Sequence, residues 1–448
     1  MKLFLSILLV LIALRCESQT VFTTEVDGTV NMSSYGTSQT GFTLDYFVSY
    51  FHTTYPQYTN HIYDWSRSGT DWNGDYQSQE EKWCLPYWAS FSVAGYDWVM
   101  ANDNGSLDSN ATYTAGILIA AGPPLFYNGT AQTNESIATM GITHLPLGRF
   151  PHDSSDGDSG AIAGNAGSMG LAAHLGVPVI DLWNRLWTNG WSSDVVGARI
   201  LGFSAGSHPL APGGLAGAIH MLLGLNVETN IGTLTFDWGA AAAYTNHVTA
   251  SGISVSGDTL TATVHFDRMP MAWDAPDGTV TNNANTAFAT MPSIGNAFNW
   301  IIQVTNLPPG NYRVLVDGQL VDSCTDAQLT SGRNWFPNTT GPLWAQRAAV
   351  LSAVRQQKGE DPVTLAYHSA GNTGTIGGVG DNVNFQSFAS QYYDTDGFRG
   401  TNYTQNSNML SIVSQVRQYD TAIHNAAVQT NHTFSITYAA PRFAPYHR

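Results

Sequence analysis

The chain has 448 residues, and 33 acidic against 17 basic side chains give it a formal net charge of −16. That excess of negative charge argues against a nucleic-acid or anionic-membrane partner. Only 11% of residues are charged, a composition that suits an extracellular protein among neutral, hydroxyl-rich partners, and the length predicts two domains.

Met1-Lys2, the apolar run LFLSILLVLIAL (Leu3 to Leu14) and small residues at Cys16 and Ser18 predict a secretory signal peptide over 1–18. The run is shorter than the roughly 20 residues of a membrane helix, and no later stretch is apolar for long enough. A secreted chain is expected, extracellular or periplasmic if bacterial, with no membrane span.

From 19 to 225, the runs GTVNM, NHIYDW, YDWVMA, GILIAAG and VPVIDLW read as strands, with TLDYFVSYFHTTY and GSMGLAAHLG as helices between them. Continuous apolar strands separated by helices predict an α/β domain with a parallel sheet covered on both faces. Functional residues of such a sheet gather at the carboxyl ends of its strands.

The texture changes after 225. In GDTLTATVHF, Leu260, Ala262, Val264 and Phe266 alternate with threonines, Asp317-Gly318 marks a hairpin, and FNWIIQV is a further strand. A small antiparallel β domain is predicted over 226–340. In the remaining 341–448, Leu343, Val350, Leu351 and Val354 make one helical stripe, and Met409, Ile412, Val416, Tyr419 and Ile423 a second. These helices are expected to pack on the other domains. The glycine-rich SAGNTGTIGGVGDN between them lacks the Lys-Ser/Thr of a phosphate loop and reads as a plain loop.

Beyond the signal peptide two cysteines remain, Cys84 and Cys324. An oxidising compartment permits a disulfide between them, and without CxxC spacing they make no zinc site. Sequons at Asn31, Asn104, Asn110, Asn128, Asn134, Asn338, Asn402 and Asn431 are glycosylation candidates in a eukaryote.

The strand-end segments of the α/β part are NMSSYGTSQTGF, DWSRSGTDW, VMANDNGS and SAGSHPLAPGG. In chain order they offer a serine, a glycine, an asparagine and a histidine. Serine hydrolysis needs such a set: a hydroxyl nucleophile, a base for its proton and donors for the oxyanion. Order and spacing resemble the SGNH (GDSL-type) hydrolase superfamily, in particular a secreted two-domain group with a C-terminal accessory region. ANDN resembles its asparagine block, SRSG its glycine block and GSHPLAPGG its His-Pro block. The resemblance implies a three-layer α/β/α sandwich, His208 as general base, and Gly69 and Asn102 as oxyanion donors.

Met32-Ser33-Ser34-Tyr35-Gly36 stands where the family reads Gly-Asp-Ser. Ser34 falls in register with the nucleophile, and Ser33, which completes the Asn31 sequon, is the second choice. Two further departures are Met100, where the family has glycine, and Ala205, where it carries an aspartate three residues before the histidine.

Gly157-Asp158-Ser159-Gly160 also looks like a serine nucleophile, but it follows the asparagine block and no apolar strand leads into it. Ser159 is read as part of a polar loop, in which Asp153, Asp156 and Asp158 lack the spacing of an EF-hand. The expectation is a secreted serine esterase removing acetyl or other acyl groups, with carbohydrate esters as the substrate class. No cofactor or metal is required. The rival expectation is an inactive glycoprotein of the same fold that binds glycans or self-assembles into homo-oligomers.

Overall fold

The computed structural model describes residues 29–36, 38–57, 59–64, 98–102, 116–120, 144–147, 185–186, 203–204, 208–209, 211–224, 227–274, 283–359 and 418–439. The amino-terminal sheet contains β1 (Thr29–Gly36), β2 (Thr59–Asp64), β3 (Trp98–Asn102), β4 (Gly116–Ala120) and β5 (His144–Leu147), in the order β2-β1-β3-β4-β5. β1 runs parallel to both neighbours, and α1 (Ser38–Thr54) carries the chain from β1 to β2. Parallel neighbours require such a crossover, because a tight turn would reverse the chain.

The all-parallel expectation fails beyond β3. β4 is antiparallel to β3, and β5, which the apolar runs did not mark, is antiparallel to β4. Antiparallel neighbours need no crossover helix, and the connecting residues 103–115 are mostly Asn, Asp, Ser, Thr and Gly without helical periodicity. The architecture is therefore α/β with a mixed sheet. VPVIDLW and GSMGLAAHLG lie outside the described residues.

The short pair β6 (Phe203–Ser204) and β7 (His208–Pro209) leads into α2 (Ala211–Gly224). α1 packs against α2, and its residues from Asp45 to Thr54 are all buried. The polar members of that stretch find partners nearby. Ser49 donates to the Tyr46 carbonyl at 2.8 Å, Thr53 to the Ser49 carbonyl at 2.8 Å and Thr54 to the Met269 carbonyl at 3.2 Å. Back-bonded hydroxyls of this kind let a helix be buried on every side.

The second part is a β-sandwich. One sheet joins β8 (Asn230–Asp237), β9 (Ala242–Asn246), β12 (Asn299–Thr305) and β15 (Arg333–Asn334) in the order β15-β12-β8-β9. The other joins β10 (Val248–Ser256), β11 (Thr259–Phe266), β13 (Asn311–Val316), β14 (Gln319–Thr325) and β16 (Asn431–Ala439) in the order β10-β11-β16-β13-β14. Four α-helices and a 3-10 helix (Pro292–Asn296) belong to this half among the described residues, the α-helices being α3 (Thr286–Thr290), α4 (Asp326–Ser331), α5 (Gly341–Gly359) and α6 (418–427).

The predicted alternation holds, with Leu260, Ala262, Val264 and Phe266 all facing the core. Asp317 and Gly318 form a two-residue turn with φ of 49° and 78°, the paired positive values of a type I′ hairpin. The stripe of Leu343, Val350, Leu351 and Val354 on α5 is buried. The terminal strand β16 is central to the sandwich, paired with β11 on one side and β13 on the other. Its Phe434 ring meets Phe266 at 5.9 Å, Trp335 at 5.9 Å and Phe236 at 6.4 Å. The 341–448 segment read as an extension thus returns its last strand to the β domain.

Gly310 shows how closely this core is fitted. Its φ is 154°, and a Cβ built there would lie 2.2 Å from Cε2 of Tyr438. Its N–H donates to the Asp326 carboxylate at 3.1 Å and its carbonyl accepts from the Asp326 N–H at 2.8 Å, so the backbone cannot back away. Gly310→Ala is expected to cost about 2–3 kcal/mol through overpacking and backbone strain. Urea unfolding checks this, and an unchanged midpoint would contradict it.

Candidate active site

The carboxyl end of the parallel strands is the place to look for chemistry. Ser34 on β1 pairs in register with Asp64 on β2 and with Met100 on β3. Gly36 pairs with Asn102, so Asn102 stands one strand over and two positions beyond Ser34. A strand spacing of about 4.8 Å and a rise of about 3.3 Å per residue separate their Cα atoms by about 8 Å. Ser33 pairs with Tyr63 and Val99. Being one residue away, it belongs to the opposite face of the pleat.

His208 opens β7 opposite Ser204. β7 contacts both α1 and α2, and α1 begins at Ser38, directly past the end of β1. Ser34 and Asn102 therefore share one end of one sheet, and His208 lies on an element packed against the helix that leaves that end. Gly69, Ala205 and Ser159 lie outside the described residues, as do Asp153, Asp156, Asp158 and the glycine-rich loop.

A half-buried polar frame fixes α1. Arg355 of α5 donates from Nε to Asp45 at 3.0 Å, and from Nη1 and Nη2 to Asp274 at 2.5 and 3.0 Å. The Tyr46 hydroxyl donates to the same Asp274 carboxylate. Burial and the Asp274 charge push the Tyr46 phenol well above its ordinary range. Burial opposes the charge on Arg355, but its bonds to Asp274 and the nearby Asp45 outweigh this and raise its pKa. Bidentate pairing of this kind holds geometry as well as charge, and it ties together α1, α5 and the 268–274 segment. On α2, burial, with the Arg185 charge adding to it, lowers His220 to about 4, so its imidazole is neutral at neutral pH.

The remaining sequence candidates fall as follows. Asn431 is exposed at the start of β16. Asn338 is half-buried, its Nδ2 donating to the Val321 carbonyl at 3.2 Å and its Oδ1 accepting from the Thr340 N–H at 2.8 Å. Asn31 occupies a paired position inside the inner strand β1 rather than a loop. Asn104, Asn110, Asn128, Asn134 and Asn402 lie outside the described residues. Cys324 is buried, and burial and the Asp322 carboxylate push its thiol up to about 12. Cys84, with which a disulfide is expected, lies outside the described residues.

No protein family matches the chain. No curated protein matches it. Among solved structures, a gut microbial diltiazem-metabolizing enzyme superposes with a TM-score of 0.63, covering 94% of this chain and 100% of that one, at 12% identity. At that identity the likeness is one of fold: the chain is similar in architecture to an enzyme along nearly its whole length.

Trp273, Trp300, Trp335 and Trp344 are buried, and Trp238 is half-buried against Tyr312 at 5.7 Å. Among the described residues no group of three or more His, Cys, Asp or Glu side chains could hold a metal, and no helix is long and apolar enough to cross a membrane.

Asp64 is the site-end residue that sequence reasoning missed. Its signal was a lone carboxylate closing the apolar run NHIYD, which reads first as turn chemistry.

Proposed function

We propose that the chain is a secreted serine ester hydrolase of the SGNH kind, cleaving acetyl or other small acyl esters. The observation that carries this reading is the register of β1 and β3, with Ser34 and Asn102 at one end of adjacent parallel strands. A nucleophile and an oxyanion donor need that proximity. The whole-length fold likeness to an enzyme supports it.

In the reaction, the Ser34 hydroxyl oxygen bonds to the ester carbonyl carbon while His208 takes its proton. The oxyanion is held by the Ser34 and Gly69 N–H groups and the Asn102 amide. Collapse breaks the ester C–O bond, and the departing alkoxide takes the proton back from His208. Water then repeats the sequence on the acyl-serine, releasing the acid and restoring the hydroxyl. The rival reading, an inactive glycan-binding scaffold, draws on Ala205 and on Met100 beside Ser34.

A fluorophosphonate probe followed by peptide mass spectrometry tests the proposal. The expected adduct is on Ser34, accompanied by hydrolysis of 4-nitrophenyl acetate and by loss of the acetyl group from diltiazem, itself an acetate ester. A folded protein that takes up no probe supports the scaffold instead. An adduct on Ser159 means that a different loop carries the nucleophile.

A further inference from the structure

A serine–histidine pair is a weak machine without a carboxylate. The acid fixes the imidazole tautomer and offsets the positive charge that builds on the ring. Ala205 occupies the position from which the resemblance would draw that acid. The sheet supplies another. We infer that Asp64 is the carboxylate that positions His208, an assignment that rests on the esterase reading above.

The argument is one of placement. β1 lies between β2 and β3, and the rung that holds Ser34 holds Asp64 on one side and Met100 on the other. The Ser34 and Asp64 Cα atoms are thus one strand spacing apart, about 4.8 Å, and they share a face of the pleat with Gly36 and Asn102. Asp64 is the last residue of β2, and β2 is the edge strand of the sheet. Met100 on the opposite flank brings no charge, so Asp64 is the one acid on the Ser34 rung among these three strands.

An acid near an imidazole raises the pKa of the ring, and the acid limb of kcat/KM reports that ring in the free enzyme. Asp64→Asn is therefore expected to lower kcat on 4-nitrophenyl acetate by about 10³–10⁴-fold. KM should change little, and the acid limb should move to lower pH. Asp64→Glu is expected to restore part of the rate and move the limb back. Asp64→Ser keeps a turn-forming side chain without the charge and should lose as much as Asp64→Asn, so it carries the test if the asparagine variant fails to fold.

A residue serving only the turn would lower the melting temperature and leave the acid limb where it was, which would overturn the assignment. Ser34→Ala runs alongside as the control. If Ser34→Ala still hydrolyses ester, Ser34 is not the nucleophile, and the site reading on which the Asp64 assignment rests falls with it. If Ser34→Ala is inactive while Asp64→Asn keeps the wild-type rate and pH profile, only the role of Asp64 falls.

Discussion

Arg347→Met is expected to lose about 3–5 kcal/mol of stability, seen as a lower urea midpoint. Arg347 is wholly buried in the middle of α5. Its Nε donates to the Pro270 and Met271 carbonyls, each at 3.1 Å. Nη1 reaches the Asn338 carbonyl at 3.2 Å, and Nη2 reaches those of Met271 at 2.5 Å and Phe336 at 3.3 Å. The guanidinium also lies over the rings of Trp273 at 4.7 Å, Trp344 at 5.0 Å and Trp300 at 5.6 Å. Burial lowers its pKa to about 9, so the cation persists at neutral pH.

Replacing a buried ion pair by apolar residues is often harmless, because both partners are removed together. That compensation is closed here. The acceptors are four main-chain carbonyls, which no side-chain change deletes, and each buried acceptor left without a donor costs about 1–3 kcal/mol. Methionine restores volume but no donor. Lysine keeps the charge but not the planar fork, so Arg347→Lys should fall between methionine and wild type. A methionine variant with the wild-type midpoint would refute this account.

Arg347 also shows where sequence reading stops. The α5 stripe was legible from Leu343, Val350, Leu351 and Val354, and Arg347 stands on that stripe, four after Leu343 and three before Val350. A helical pattern scored on apolar residues passes over a charge in the buried face. Only the arrival of the distant segment 270–271, beside residues 336–338 just ahead of the helix, explains it. The alternation of β11 and the Asp317-Gly318 turn were legible because both signals are local. The central place of β16 was not, since its partners β11 and β13 lie more than a hundred residues earlier.

At the site, residue types at strand ends were readable and their neighbours across the sheet were not. Ser34, Asn102 and His208 were picked by order along the chain. Asp64 became visible only through the β1–β2 register. The reversal of β4 likewise turns on pairing geometry, which a five-residue apolar run does not encode.

The two adjacent serines offer the sharpest test of that register. Ser34→Ala is expected to lower kcat for ester hydrolysis by about 10⁴–10⁶-fold, the scale of removing a serine nucleophile. Ser33→Ala should stay within a few-fold of wild type. The contrast follows from the strand period of two, which puts neighbouring residues on opposite faces. Ser34 shares its rung with Asp64 and its face with the rung of Asn102, and Ser33 shares neither. Ser33 also completes the Asn31 sequon, so Ser33→Ala removes any glycan acceptor there while Ser33→Thr preserves it. Equal rates for these two variants would show that no glycan at Asn31 governs the site. Loss of hydrolysis in both Ser33 variants, with Ser34→Ala active, would move the chemistry to the other face of the sheet. Asn102 could not then serve as oxyanion donor, because the pleat would hold the nucleophile and that amide on opposite sides.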